Sequence, residues 1–285
     1  MNIRLSGAER KKLAAKMLAD IDDACVTHFA ELPRDHLGAS EIGEKCMRRL
    51  VYSFRWMHRE QFNGCMLRLF NRGHSEEARF VQWLRLIGAQ AFENDPNTGK
   101  QFRVEGHGFF GGSLDGVALL PTLFGNLPAF LTEFKTHGEK SFKMLKADGV
   151  KLSKPKHFDQ MCVYGEAYKF DYAIYFAVNK NTDELWIEIV ELDHAHAKKL
   201  LAKAEAVISA PHLPNKIAAS EAYMDCKFCP MAGVCHRGEP IDVNCRSCRY
   251  SIPRQSTKDW HCRQWNATIP HDAIPKACER WEAFS

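Results

Sequence analysis

Three carboxylates and a lysine occur in an order suited to metal-assisted hydrolysis. They are Glu77 in Gly73-His74-Ser75-Glu76-Glu77, Asp115 in Gly111-Gly112-Ser113-Leu114-Asp115, and Glu133 with Lys135 in Thr132-Glu133-Phe134-Lys135. Side chains two apart on a strand share a face, so Glu133 and Lys135 point together while Thr132 and Phe134 point away. Asp115 follows two glycines that permit close approach of backbone or substrate. Pairing of the Asp115 and Glu133 strands would bring both carboxylates onto one hard cation. Mg2+ or Mn2+ suits that donor set, because Mg2+ takes one or two carboxylates and keeps several waters. Such an ion would act as a Lewis acid and acidify a water. Lys135 would orient that water or offset charge on the reacting centre. Glu-x-Lys alone is equally well explained by solvated charges on a hairpin. Gln160 and Tyr164 add an amide and a phenol at i, i+4 on one helical face.

Helices are expected at 8–24, at 40–58 (capped by Ser40, with Gly43 inside) and from Arg72 to Ile87. In the third, Phe80, Val81, Leu84 and Ile87 face inward, Gly88 is the stop, and Glu77 shares the apolar face. Residues 94–99 read as a turn. Strands follow at His107–Leu119 and Ala129–Lys135, joined through Pro121–Pro128. A helix at 155–168, a hairpin of Tyr172–Val178 with Glu184–Leu192 across Lys180–Asp183, and a helix at 194–208 complete the pattern. The expected class is α/β, a short mixed sheet flanked by helices. Beyond Pro211 the chain turns cysteine-, proline- and arginine-rich with little apolar period, as in a segment held by metal.

At 285 residues, 45% hydrophobic and 26% charged, the chain suits one core with a small appendage: 1–239, then 240–285. No apolar run has membrane-span length and the N-terminus does not read as a signal peptide, so no membrane partner is expected. A net charge of +4 does not by itself imply a nucleic-acid partner. Two basic stretches do more: Lys45, Arg48, Arg49, Arg55, Arg59, Arg68 and Arg72, then Lys140, Lys143, Lys146, Lys151, Lys154 and Lys156. Each would follow a phosphate backbone or line a solvated helix face.

Eleven cysteines without a secretion signal argue for metal ligation in a reducing, cytoplasmic setting and against disulfides. Cys226, Cys229 (followed by proline) and Cys235 suit iron–sulfur ligation, with Cys46 the natural distant fourth ligand. Cys245, Cys248, Cys262 and Cys278 suit a tetrahedral Zn2+ site, with His261 and His271 as substitutes. Pairing Cys226/Cys229 with Cys245/Cys248 as a zinc ribbon is the rival, and it strands four cysteines. Cys25, Cys65 and Cys162 are expected as buried thiols. Trp260, Trp265 and Trp281, with Arg246, Arg249, Arg254 and Arg263, would pack a metal-held mini-core or stack on single-stranded bases.

The order Gly-x-x-x-Glu, Asp, Glu-x-Lys, Gln-x-x-x-Tyr resembles the PD-(D/E)xK nuclease superfamily, in particular its RecB-type exonuclease branch. That branch includes CRISPR-associated adaptation nucleases and phage recombination exonucleases. The resemblance runs from about Ser40 to Cys235. It implies a restriction-endonuclease-like core and a Mg2+- or Mn2+-dependent deoxyribonuclease acting exonucleolytically on single-stranded or end-bearing DNA. Asp115 and Glu133 would ligate metal with the Phe134 carbonyl, Lys135 would be catalytic, and Glu77 would support a metal or its water. Many members carry His where this chain has Glu77, and His74 stands at the wrong offset. Gln160 and Tyr164 would contact the strand or steady the site. Members with an N-terminal cysteine and a C-terminal triplet bind a [4Fe–4S] cluster, which implies a structural cluster on Cys46, Cys226, Cys229 and Cys235. The implied setting is phage or mobile-element recombination, in a bacterial or phage-infected cytoplasm, with recombination or replication proteins as partners. Other readings are a non-catalytic metal-stapled DNA-binding module, an electron-transfer protein, and a site-specific endonuclease of the same fold.

Overall fold

The structure, a computed structural model, describes residues 4–29, 33–120 and 129–285. The expected Pro121–Pro128 connection lies outside the described residues. The first helix, α1 (Gly7–Phe29), opens on a reciprocal cap: Glu9 N donates to Ser6 Oγ (3.3 Å) and Ser6 N donates to Glu9 Oε2 (2.8 Å). Next come β1 (Leu37–Gly38), a 3-10 turn at Ala39–Glu41 and α2 (Met47–Phe54). The single helix expected over 40–58 is thus broken. Its middle is a turn pressed so closely on residues 156–159 that a Cβ at Gly43 would lie 2.8 Å from Asp159 Oδ2 and 2.9 Å from Lys156 Cα. The third helix, α3 (Gly64–Leu86), begins before the expected Arg72, because the Asn63 side chain caps it by accepting from Met66 N at 2.9 Å.

Strands β2 (Gln90–Phe92), β3 (Arg103–His107), β4 (Phe110–Ser113), β5 (Gly116–Leu119) and β6 (Phe130–His137) follow. The strand expected over 107–119 is therefore two strands in two sheets. β4 pairs with β1 and β3, whereas β5 pairs with β2 and β6, and the chain changes sheets at Leu114–Asp115. The remaining core elements are α4 (Glu139–Ser153), α5 (Pro155–Tyr168), β7 (Tyr172–Asn179), β8 (Leu185–Glu191) and α6 (His194–Ile208). α4 contains most of the second basic stretch, which the sequence reading had not assigned to a helix. The β7–β8 hairpin, α5 and α6 lie where expected.

The main sheet runs β2-β5-β6-β7-β8, with only the β6–β7 pair parallel. One face packs Phe130, Phe134, Ile174 and Phe176 against Phe80, Val81 and Leu84 of α3. The other face packs Leu131, Ala173, Tyr175 and Ala177 against α4, α5 and α6 through Phe142, Leu145, Met161 and Leu200. Period-two alternation along β6 thus buries both faces, as expected of a central strand covered by helices.

The last segment is not free of regular structure. β9 (Ser251–Arg254), β10 (Asp259–Cys262) and β11 (Ala267–Ile269) form an antiparallel sheet. Trp260, Ile274 and Phe284 join the main hydrophobic cluster. The Arg55 and Arg246 side chains are buried at this seam. Arg55 Nη1 donates to the Arg246 carbonyl at 2.9 Å and stacks 3.5 Å from the Phe284 ring centre. Arg246 lies over Trp56 and Trp260. Trp260 and Arg246 are therefore core residues, which for these two favours packing in a mini-core over stacking on bases. Trp265 stays exposed, and Trp281 is tied down by donating to the Asn244 carbonyl at 3.0 Å.

Candidate active site

β6 presents Glu133, Lys135 and His137 to the α4–α5 side of the sheet, the side opposite Phe134. Antiparallel pairing sets Gly116 of β5 opposite Thr132, so Asp115, one residue earlier in the bend, falls beside Glu133. The Phe134 backbone N–H donates to Asp115 Oδ2 at 2.7 Å. Lys135 Nζ lies 2.5 Å from Glu133 Oε1 and 3.7 Å from Asp115 Oδ2, and donates to the Phe134 carbonyl at 3.1 Å. Asp115, Glu133, the Phe134 carbonyl and Lys135 thus form one compact group, as anticipated.

Burial controls the electrostatics. Glu133 is fully buried, and desolvation pushes its carboxyl up to about 7 against the opposing pull of Lys135. Burial alone would lower the Lys135 ammonium, but Glu133 and Asp115 outweigh it and hold it above the usual lysine range. Glu77 joins at the margin. Its carboxyl is raised by partial burial and then by the Asp115 charge, while His74 Nδ1 sits 3.2 Å from Glu77 Oε1 and opposes the shift. The neighbouring Glu76, not singled out from sequence, is the more buried and is tied to Arg79 at 2.7 Å.

Gln160 and Tyr164 project from α5 beneath this group. Gln160 Nε2 lies 3.4 Å from both Glu133 Oε2 and the Tyr164 hydroxyl, and both side chains are buried. Gln160 thus touches Glu133 directly, and Tyr164 reaches it through Gln160. Gly112 makes room for the phenol, since a Cβ there would stand 2.5 Å from the Tyr164 oxygen.

Four further side chains were not singled out from sequence. The Tyr175 hydroxyl lies 2.9 Å from His137 Nε2 and 2.8 Å from His157 Nδ1, and His137 Nδ1 lies 3.2 Å from Ser141 Oγ. Strand period two places His137 on the Lys135 face, and His157 is three residues ahead of Gln160 on α5. Both spacings were available as signals.

Among the described residues, no group of three or more His, Cys, Asp or Glu side chains could hold a metal ion as placed. The donor set around Glu133 is instead two carboxylates and a carbonyl, all hard oxygens of the kind Mg2+ accepts alongside waters. Glu133 Oε1 is buried without a well-formed hydrogen bond, and the Lys135 ammonium occupies the space a cation would share with both carboxylates. These residues fit the ion.

The cysteines fall into two neighbourhoods. Burial, then the nearby Cys46, Cys229 and Cys235, raises the Cys226 thiol; burial also raises Cys229, opposed by the Met231 backbone N–H and by Arg49, with Cys46 and Cys235 adding to the rise. Cys245 is pushed up to about 11 by burial first and then by Cys278, Cys248 and Cys262. Cys46 stands at the N-cap of α2. Cys162 is buried as expected, whereas Cys65 is exposed on the outer face of α3 and Cys25 only half-buried, which corrects both. Many basic residues are engaged within the chain. Arg49 and Lys156 meet Glu44, Arg68 meets Asp22, and Lys146 meets Glu184.

No protein-family model matches the chain, and no curated protein matches it. Solved structures similar to it include an alkaline exonuclease (LHK-Exo) from Laribacter hongkongensis, alone and in complex with dAMP. Identity is 15% and the TM-score 0.43, covering 65% and 66% of this chain and 90% of that one. Another is SSO0001, at 15% identity and TM-score 0.41, covering 78% of this chain and 96% of that one.

Proposed function

We propose that this chain is a divalent-metal-dependent deoxyribonuclease of the PD-(D/E)xK kind, acting exonucleolytically on DNA with free or single-stranded ends. One observation carries the reading: Asp115, Glu133, the Phe134 carbonyl and Lys135 converge at the β5–β6 pairing, braced by buried Gln160 and Tyr164. Asp115, Glu133 and the Phe134 carbonyl would hold Mg2+ or Mn2+, with Glu77 supporting from α3. When bound, the ion supplies Lewis acidity and a more acidic water. The chain's own residues do the rest. Phe134 N–H fixes Asp115 Oδ2, and Gln160 holds Glu133 Oε2 so that the carboxylates are oriented before substrate arrives. Lys135 Nζ remains protonated, and its charge offsets the negative charge that develops on a phosphoryl oxygen.

Cys46, Cys226, Cys229 and Cys235 would bind a [4Fe–4S] cluster, and Cys245, Cys248, Cys262 and Cys278 a Zn2+ ion. Mutual proximity within each set supports this partition over the zinc-ribbon pairing. Both groups would be structural, in a reducing cytoplasm. The biological setting in this reading is recombination or genome processing in a phage or mobile element.

The test is digestion of end-labelled single strands, duplexes and covalently closed circles by anaerobically purified protein. Cleavage of linear DNA that requires Mg2+ or Mn2+ and vanishes in Asp115→Ala, while that variant still binds DNA, supports the reading. Cutting of closed circles would assign an endonuclease instead. DNA binding without cleavage in any divalent metal would leave a binding module.

A further inference from the structure

We propose that Arg55 and Arg246 are the counter-charges of a zinc centre whose four ligands are all thiolates, those of Cys245, Cys248, Cys262 and Cys278. This rests on the zinc reading above and deepens it: it decides the ligand set and ties the centre to α2. Both guanidiniums are buried, Arg55 at 3% and Arg246 at 1% exposure. Arginine keeps its charge in proteins, so the seam holds two buried cations. Among the described residues no carboxylate pairs with either, and the Nε of each is buried without a hydrogen-bond partner. Asp35 favours the charge of Arg246 only from the surface, where it faces His271 at 3.3 Å. Carbonyls and aromatic rings solvate these cations but cancel none of their charge. Buried charge of this kind calls for an equal and opposite charge close by.

The cysteines supply it. Arg55, at the C-terminal end of α2, reaches into the Cys245–Cys248 turn and donates to the carbonyls of Arg246 (2.9 Å), Cys248 (3.5 Å) and Ser251 (3.4 Å). Arg246 lies inside that turn and donates back to the Phe54 carbonyl, the last of α2. On one side Cys262 pairs with Ser251, whose N–H donates to the Cys248 carbonyl at 3.2 Å. On the other, Cys245 N donates to the Ile274 carbonyl at 2.8 Å, in the segment that leads to Cys278. Each thiolate carries one negative charge and Zn2+ two positive, so four thiolates leave a centre with two negative charges. That equals the two guanidiniums. A His261 or His271 ligand in place of one cysteine would leave one cation unmatched, and His271 is already turned to Asp35. Zinc loading and docking of residues 240–285 on α2 are then one event, because neither charge stays buried without the other.

Zinc-edge X-ray absorption of the anaerobically purified full chain counts the sulfur ligands, and competition with a chelator gives the Zn2+ affinity. Four sulfurs are expected. Arg55→Met keeps the stem and removes the charge, and should weaken Zn2+ binding at least about 30-fold. Cys278→His reduces the centre to one negative charge. In that background Arg55→Met should weaken binding by only roughly the square root of that factor, because the charge product is halved. A role limited to packing would give equal fold-losses in both backgrounds, and that result would overturn the proposal while leaving the zinc site standing. Three sulfurs and a nitrogen in the wild type would do the same. Absence of bound zinc would overturn the zinc reading and this inference together. Far-UV circular dichroism checks that each variant is folded. If Arg55→Met does not fold, the wild type decides. Stripping its zinc should speed hydrogen exchange at residues 47–57 as well as at 240–285, and unchanged exchange at 47–57 would overturn the proposal.

Discussion

Acid should destabilise this protein through one buried and one half-buried histidine beside the candidate active site, and the size of the effect can be worked out. Burial first, then the charges of Lys154, Lys135 and Lys180, lower His137 to about 4. Burial first, then Lys135, His137, Lys154 and Lys156, lower His157 to about 3. Both rings share the Tyr175 hydroxyl, and Ser141 of α4 meets the far nitrogen of His137. In the unfolded chain each imidazole titrates near about 6.5. The folded values are depressed, so the contribution is fully present above about pH 6.5 and is lost as pH falls toward the folded values. At pH 4.5 the unfolded rings are almost wholly protonated and the folded rings mostly neutral, a loss of roughly 2.5 kcal/mol each. Together, about 5 kcal/mol is a large fraction of the total stability of a typical domain.

Carboxylates also titrate in that range, so the comparison must isolate the rings. Urea unfolding, with reversibility checked, should be followed at pH 7.5 and 4.5 for the wild type and for His137→Gln/His157→Gln. Glutamine retains hydrogen-bonding capacity for Tyr175 and Ser141 but cannot take a proton in this range. The variant is expected to be somewhat less stable at pH 7.5, yet to lose at least about 2 kcal/mol less than wild type on acidification. Equal losses in the two proteins would refute the claim that these rings are held neutral by their surroundings.

Lys135→Ala should reduce the cleavage rate by roughly 10²–10³-fold, in the range seen when one charge-stabilising group is removed, with DNA affinity changed far less. Single-turnover kinetics beside a binding titration separate the two effects. Gly112→Ala should cost about 1–3 kcal/mol in thermal or urea unfolding, because its Cβ would stand 2.5 Å from the Tyr164 oxygen. Combining it with Tyr164→Phe removes that oxygen and should recover part of the loss; no recovery would place the clash elsewhere, with Ala39 at 3.1 Å the next candidate. Cys46→Ser should lower bound iron and leave zinc, while Cys278→Ser should do the reverse, as read by elemental analysis of anaerobically purified protein. Loss of the same metal from both variants would defeat the partition into two sites.

The residues of the candidate site were legible because their chemistry is local. Glu133 and Lys135 share a face by strand period, and Gln160 and Tyr164 share one by helix period, so each pair could be placed before any fold was known. Asp115, by contrast, was assigned to the middle of a strand. It sits at a bend between strands of two sheets, and nothing in residues 107–119 states that the chain changes partners there. The His137–Tyr175–His157 group combines β6, α5 and β7, and each member alone looks like an ordinary polar residue.

What the sequence by itself determined is the residue types available for chemistry and the order of the elements: carboxylates and a lysine at fixed spacing, a cysteine-rich last quarter, helices around a short sheet. These follow from side-chain type and from periods of two and 3.6 residues, which are properties of the local backbone. What only the tertiary structure decided is which groups are dry. Burial, not residue type, pushes Glu133 up to about 7 and makes Arg246 and Trp260 core residues, while none of the residues of α1 is buried. Burial depends on contacts between residues far apart in the chain, such as Arg55 with Phe284, and those exist only once the elements have packed.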